Sequence, residues 1–160
     1  MRWIAPSVLA LLLGACSPGS GDAAPQSTQP APAVHPVSGL PVVPLTISHA
    51  SKVHTFRVEV ASTGQQQMMG LMFRTQMGAD EGMIFPTDPP RTASFWMRNT
   101  VIPLDIIFVG VDGKILNIAA NAVPYDETPL PSAGVVKGVL ELNGGRAKEL
   151  GIGPGDVVGW

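Results

Sequence analysis

Leu104-Asp105-Ile106-Ile107-Phe108-Val109-Gly110-Val111-Asp112-Gly113-Lys114-Ile115-Leu116-Asn117-Ile118-Ala119-Ala120-Asn121-Ala122 is the stretch that decides the fold. Two apolar runs flank Asp112-Gly113, a dipeptide that tolerates the left-handed backbone of a tight hairpin turn. The first run predicts a strand over Leu104–Val111, bounded by Pro103. The second predicts its antiparallel partner over Ile115–Ala122. Downstream, Val123–Gly134 holds Pro124, Pro129 and Pro131 and reads as a long irregular loop. Val135–Leu142 predicts another strand. Gly145–Leu150 predicts a short helix with Gly151 past its end as C-cap, and Val157–Trp160 the last strand.

Upstream, Gly82-Met83-Ile84-Phe85 predicts a short buried strand stopped by Pro86, with Asp88-Pro89-Pro90 as a turn. Thr92–Asn99 predicts a further strand. Leu45–His49 and His54–Val60 alternate apolar and polar residues, so they predict a hairpin through the Ala50–Val53 loop. Thr63 with Gln66 forms a capping-box signal for a helix ending near Phe73-Arg74. Met68, Leu71 and Met72 would be its buried stripe, with Gly70 inside it at a close backbone contact. The sum is about eight short strands and two short helices, a mostly β, α+β domain. The expected architecture is a small antiparallel barrel or strongly bent sheet. The strands are too closely spaced for βαβ crossovers.

Outside this domain the chain changes character. Met1-Arg2 is basic, Trp3–Leu13 is apolar, and Leu13-Gly14-Ala15-Cys16 sets small residues before the chain's one cysteine. The apolar run is too short for a membrane span and has a signal peptide's architecture. It looks like a bacterial lipoprotein signal, an ordinary secretory signal being the alternative. The expected division is a signal peptide over 1–15, lipidated Cys16 with a Pro/Ala/Ser-rich tether over 16–40, and a single domain over 41–160. Such a tether cannot bury enough apolar surface to offset its ordering entropy. Lipid on Cys16 makes the membrane the expected partner and excludes a disulfide. Ser17, rather than an Asp after the cysteine, points in the resembled class to the outer membrane, facing the periplasm. Net charge is −2 and charged residues make up 14% of the chain. With no basic cluster, a nucleic-acid partner is not expected.

The motifs GLMFR (Gly70–Arg74), GMIF (Gly82–Phe85), SFWMRNT (Ser94–Thr100), PLDIIFV (Pro103–Val109), VLEL (Val139–Leu142) and LGIGPGD (Leu150–Asp156) occur in this order. Together they resemble the uncharacterised bacterial and archaeal family catalogued as domain of unknown function 192. Arg98, where the family often has Lys, and Val101 are small departures. The resemblance implies a fold and a compartment and carries no established activity.

The polar residues inside these motifs suggest a pocket of Arg74, Trp96, Arg98, Asn99 and Asp105, joined by Glu141. Strand alternation would put Trp96 and Arg98 on one partly exposed face, opposite Phe95 and Met97. Trp with Arg is a pairing enriched at binding hot spots. The rival account packs Trp96 under the loop Val123–Gly134. Asp105 heads an apolar strand and needs a partner, and Arg74 is the expected one. The architectural reading of the same residues is a buried ion pair with turn caps.

The leading expectation is therefore an envelope-anchored binding or assembly module for an envelope ligand or protein. One alternative is a small hydrolase acting on envelope glycan or related material, with Asp105 and Glu141 as its carboxylate pair. Another is a soft-metal carrier, since Met68 and Met72 stand four apart and thioethers suit Cu(I), although core packing also explains them. His49 and His54 flank the hairpin loop but offer two ligands where zinc usually takes three or four. No nucleophile elbow, H-E-x-x-H, P-loop or dinucleotide fingerprint occurs. Neither a cofactor nor a metal is expected.

Overall fold

The computed structural model describes residues 33–160 together with Met1. Cys16, the rest of the expected signal peptide and the tether as far as residue 32 lie outside the described residues. The described chain runs β1 (Ala33–Val34), β2 (Pro41–His49), β3 (Lys52–Val60), α1 (Gly64–Met69), β4 (Glu81–Arg91), β5 (Ser94–Phe95), β6 (Leu104–Gly110), β7 (Ile115–Ala122), β8 (Leu130–Pro131), β9 (Val136–Asn143), α2 (Arg146–Leu150) and β10 (Val157–Gly159). Ten strands and two short helices make the domain mostly β, as its turn-punctuated sequence predicts.

Eight strands form one sheet in the order β1-β2-β3-β4-β9-β6-β7, with β10 added against β2; β5 and β8 form a separate ribbon. The expected antiparallel barrel is not what forms. The sheet is large, mixed and open, and a single bridge from Lys114 to Val157 links β10 toward the β7 end. The mixed character comes from β3 and β4, which pair in parallel, Val58 opposite Gly82. Parallel neighbours need a crossover of a dozen residues or more, and residues 61–80, carrying α1, supply it. Gly82 permits the tight fit between β3 and β9. A Cβ there would meet the Glu141 carbonyl oxygen at 2.5 Å.

Three local expectations give way to backbone geometry. The capping box of Thr63 and Gln66 forms, but α1 stops at Met69 because Gly70 caps it with φ 48°. The predicted stripe is thereby broken: Leu71 is buried and Met68 is 77% exposed. The strand expected over Thr92–Asn99 shrinks to β5, since the Thr100 N–H donates to the Met97 carbonyl (3.1 Å) and turns the chain. β4, conversely, runs through Pro86, and its pairing with β9 slips between Pro86 and Arg91. In the stretch expected as tether, Ala33–Val34 pairs with β2. Beyond it His35–Leu40 closes a turn, and Ser38 bonds Glu59.

The sheet buries both faces. Every residue of β6 is buried. Ile107 and Val109 of that strand join Phe56, Val58, Ile84, Leu140, Leu142 and the α2 residue Ala147 on one side. Leu104, Ile106 and Phe108 join Met83, Phe85, Val139, Leu71 and Met97 on the other. Alternation along β4, β6 and β9 produces the division. It also decides where two acids point. Asp105 stands opposite Leu142, and Ile106 opposite Glu141, so Asp105 faces the first side and Glu141 the second.

Candidate functional site

On the second side of the sheet a pocket of about 380 Å³ opens. Its walls come from α1 and the turn after it (Gln67 to Met72), from β4 (Phe85, Thr87, Arg91), and from Thr92–Trp96 with Arg98 and Thr100. Glu141 of β9 forms its floor. The volume lies in the range of small-molecule sites. Gln67 fixes one wall, its side-chain amide donating to the carbonyls of Ala61 (3.1 Å) and Pro86 (2.8 Å). Edge-to-face contacts fix another, Phe85 to Phe95 at 5.1 Å and Phe95 to Phe108 at 6.2 Å between centroids. Gly70 explains itself here: a Cβ would touch the Phe85 ring at 3.4 Å.

Glu141 is the unusual group. It is 5% exposed, and its Oε2 has no hydrogen-bond partner. Burial pushes its carboxyl up to about 8 from an ordinary 4.5, because desolvation penalises the charged form. It is therefore mostly a neutral acid at pH 7, flanked by Met83 and Ile106 on the neighbouring strands.

The mouth carries the Trp–Arg pair. The Arg98 guanidinium carbon lies 4.4 Å from the centre of the Trp96 ring, and Arg98 bonds Glu127 at 2.7 Å. Trp96 is 47% exposed, so the loop over Val123–Gly134 does not enclose it. Met97 between them is fully buried. The shared face comes from a turn here rather than from strand alternation. Three non-glycine residues near this rim, Phe73, Asn99 and Tyr125, hold positive φ of 62°, 54° and 64°. Backbone bonds tie them together: Phe73 N–H to Asn99 O at 2.8 Å and Tyr125 N–H to Thr100 O at 3.2 Å. Such backbone persists only where the surroundings enforce it, and it clusters at functional sites.

The structure divides the residues that the sequence groups together. Trp96, Arg98 and Glu141 share the pocket. Asn99 sits beside it, its amide 3.8 Å from the Met72 sulfur, and contributes its carbonyl to the strained turn. Arg74 is elsewhere and does not pair with Asp105. It binds Glu59 through both nitrogens, at 2.8 and 3.1 Å, because the early end of α1 redirects the chain after it. Asp105 accepts from three backbone N–H groups instead: Asn121 (2.7 Å), Gly145 (2.9 Å) and Ala147 (2.8 Å). It locks the start of α2 and the end of β7 on the first side of the sheet. Asp105 and Glu141 therefore cannot flank one bond as an acid–base pair.

Met68, Met69 and Met72 line the pocket, while Met83 and Met97 are core. His49 bonds Asp156 at 3.0 Å. Among the described residues no three His, Cys, Asp or Glu side chains converge as a metal site. Sequence reasoning missed Phe85, Phe95, Thr87 and Arg91. Only Gly70, whose presence in a helix demanded a close neighbour, hinted at Phe85.

Similar proteins accord with this fold. The DUF192 family, described as Uncharacterized ACR, matches residues 45–160. A crystal structure of a protein of unknown function from Novosphingobium aromaticivorans DSM 12444 is 64% identical, with a TM-score of 0.80 over 82% of this chain and 94% of that one. One from Sinorhizobium meliloti 1021, described as a candidate transcription regulator, is 40% identical, with a TM-score of 0.73 over 75% of this chain and 94% of that one. Among curated proteins none matches. The motif order, the fold and these likenesses make the chain a member of the DUF192 family.

Proposed function

We propose that this domain is a binding module that takes a small molecule into the pocket above Glu141. It is held at the bacterial outer membrane by lipid on Cys16 and faces the periplasm. The observation that carries the binding reading is the buried carboxyl of Glu141, with an unpartnered oxygen, at the floor of a cavity of about 380 Å³. A buried polar group without a partner costs about 1–3 kcal/mol, and an apolar residue of the same volume would avoid that. Perturbed ionisable groups in clefts mark functional sites. Trp96 and Arg98 at the mouth add a stacking surface.

The hydrolase alternative loses its support, because its two carboxylates face opposite sides of the sheet. A soft-metal reading keeps one observation, the three methionines lining the same pocket. The regulator description of the Sinorhizobium relative gains none here, since Arg57, Arg74, Arg98 and Arg146 are each engaged with carboxylates.

A thermal-shift screen of small molecules and Cu(I) tests the reading. Ligands are expected that stabilise the wild type and lose their effect in Trp96→Ala, while Arg98→Ala weakens them without moving the unliganded melting temperature. Ligands indifferent to both substitutions would contradict it. A response to Cu(I) alone, lost in Met68→Leu or Met72→Leu, would favour the metal. For the anchor, Cys16→Ser is expected to release the protein from the membrane fraction; a variant still sedimenting with membranes would refute it.

A further inference from the structure

The charges around the pocket are few, and they do not cancel within it. Three ionisable side chains line it: Arg91 from β4, Arg98 from the turn after β5, and Glu141 from β9. Arg98 is already answered by Glu127 and lies on Trp96. Arg91 has no carboxylate within 4.0 Å among the described residues, and Glu141 has no cation there. One guanidinium and one carboxyl thus share a cavity without reaching each other. The rings of Phe85, Phe95 and Trp96 line the same cavity.

We infer that the pocket takes a small zwitterion with an apolar side chain, an amino-acid-like molecule whose ammonium meets Glu141 and whose carboxylate meets Arg91. The inference deepens the binding reading above and rests on it. An ammonium at the cavity floor gives the Glu141 carboxyl a charge-assisted bond, and aromatic faces attract the same cation. A guanidinium matches a carboxylate in planar, two-point geometry. The thioether wall of Met68, Met69 and Met72 adapts to an apolar side chain of variable shape.

The cation also makes binding pH-dependent with a known sign. Glu141 titrates near 8 in the free protein because burial disfavours its charge, and a bound ammonium favours the charge. Binding at neutral pH therefore expels the Glu141 proton, and affinity rises as pH climbs toward about 8. The Glu127 carboxylate bonded to Arg98 holds that guanidinium above its ordinary value, so it keeps its charge throughout this range.

Isothermal titration with three probes tests the inference: L-phenylalanine as zwitterion, phenethylamine as cation and 3-phenylpropionate as anion. Each is titrated into the wild type, Glu141→Gln and Arg91→Gln between about pH 6 and about pH 8.5. Titrations in two buffers of different ionisation enthalpy count protons released. L-phenylalanine is expected to bind best, to release a proton at neutral pH and to lose about tenfold or more in each variant. If Glu141→Gln fails to fold, proton release in the wild type and the Arg91→Gln arm decide. Tighter binding of 3-phenylpropionate, no proton release, or affinity that falls with rising pH overturns the zwitterion. Failure of all three probes, with other screen hits still dependent on Trp96, overturns the zwitterion and leaves the binding reading standing. Absence of any Trp96-dependent ligand overturns both.

Discussion

Asp105 and Glu141 stand on neighbouring strands, one residue out of register, and point to opposite faces of the same sheet. Both are acids set in apolar runs, and both are buried, at 0% and 5% exposure. Their surroundings differ completely. Asp105 accepts three backbone N–H bonds drawn from the end of β7 and the start of α2. The Oε2 of Glu141 receives none. One acid is spent on holding the chain together, and the other is left facing a cavity. Burial alone does not separate the two acids; their partners do.

The comparison breaks most visibly at Asp105. Replacing it with Ala strands three backbone N–H donors at once, that of Ala147 buried and those of Asn121 and Gly145 part-buried, a fully buried donor costing about 1–3 kcal/mol before relaxation. A loss of about 3–5 kcal/mol is expected in urea denaturation, the range for removing one partner of a buried charged contact. Ligand affinity, in whatever variant protein still folds, should stay at the wild-type level, because Asp105 is across the sheet from the pocket. A loss below about 0.5 kcal/mol, within the span of ordinary surface substitutions, would show that Asp105 is not the lock described here.

The sequence made much of this legible and hid the rest for physical reasons. The hairpin of β6 and β7 follows from alternation around Asp112-Gly113, and the start of α1 from Thr63 and Gln66. The parallel pairing of β3 with β4 was not readable. It depends on where the chain lands after residues 61–80, which no local propensity states. The partner of Arg74 was missed for the same reason. Gly70 ends the helix early, and Glu59, one strand back, then lies in reach. Trp96 and Arg98 were singled out by residue type, a composition enriched at binding hot spots, and both line the pocket. Glu141 carried a signal too, an acid breaking the apolar run Val139-Leu140-Glu141-Leu142. Asp105 carried the same signal, so the sequence marked two acids and did not say which one faced the pocket.

Glu141 is retained at the expense of stability, and the stability of Glu141→Met against the wild type as a function of pH decides whether that is so. Methionine keeps the volume and removes the unpartnered carboxyl, so the variant is expected to be more stable by about 1–3 kcal/mol at neutral pH. Glu141 titrates near 8 when folded and near 4.5 when unfolded. Between those values the native state holds a proton that the unfolded chain has released. Its contribution is therefore fully favourable below about 4.5 and is lost progressively as pH rises through 8. The advantage of Glu141→Met should widen over that window. A variant less stable than the wild type at neutral pH, with an unchanged pH profile, would mean that Glu141 is a structural acid like Asp105, and the account of the pocket would fall.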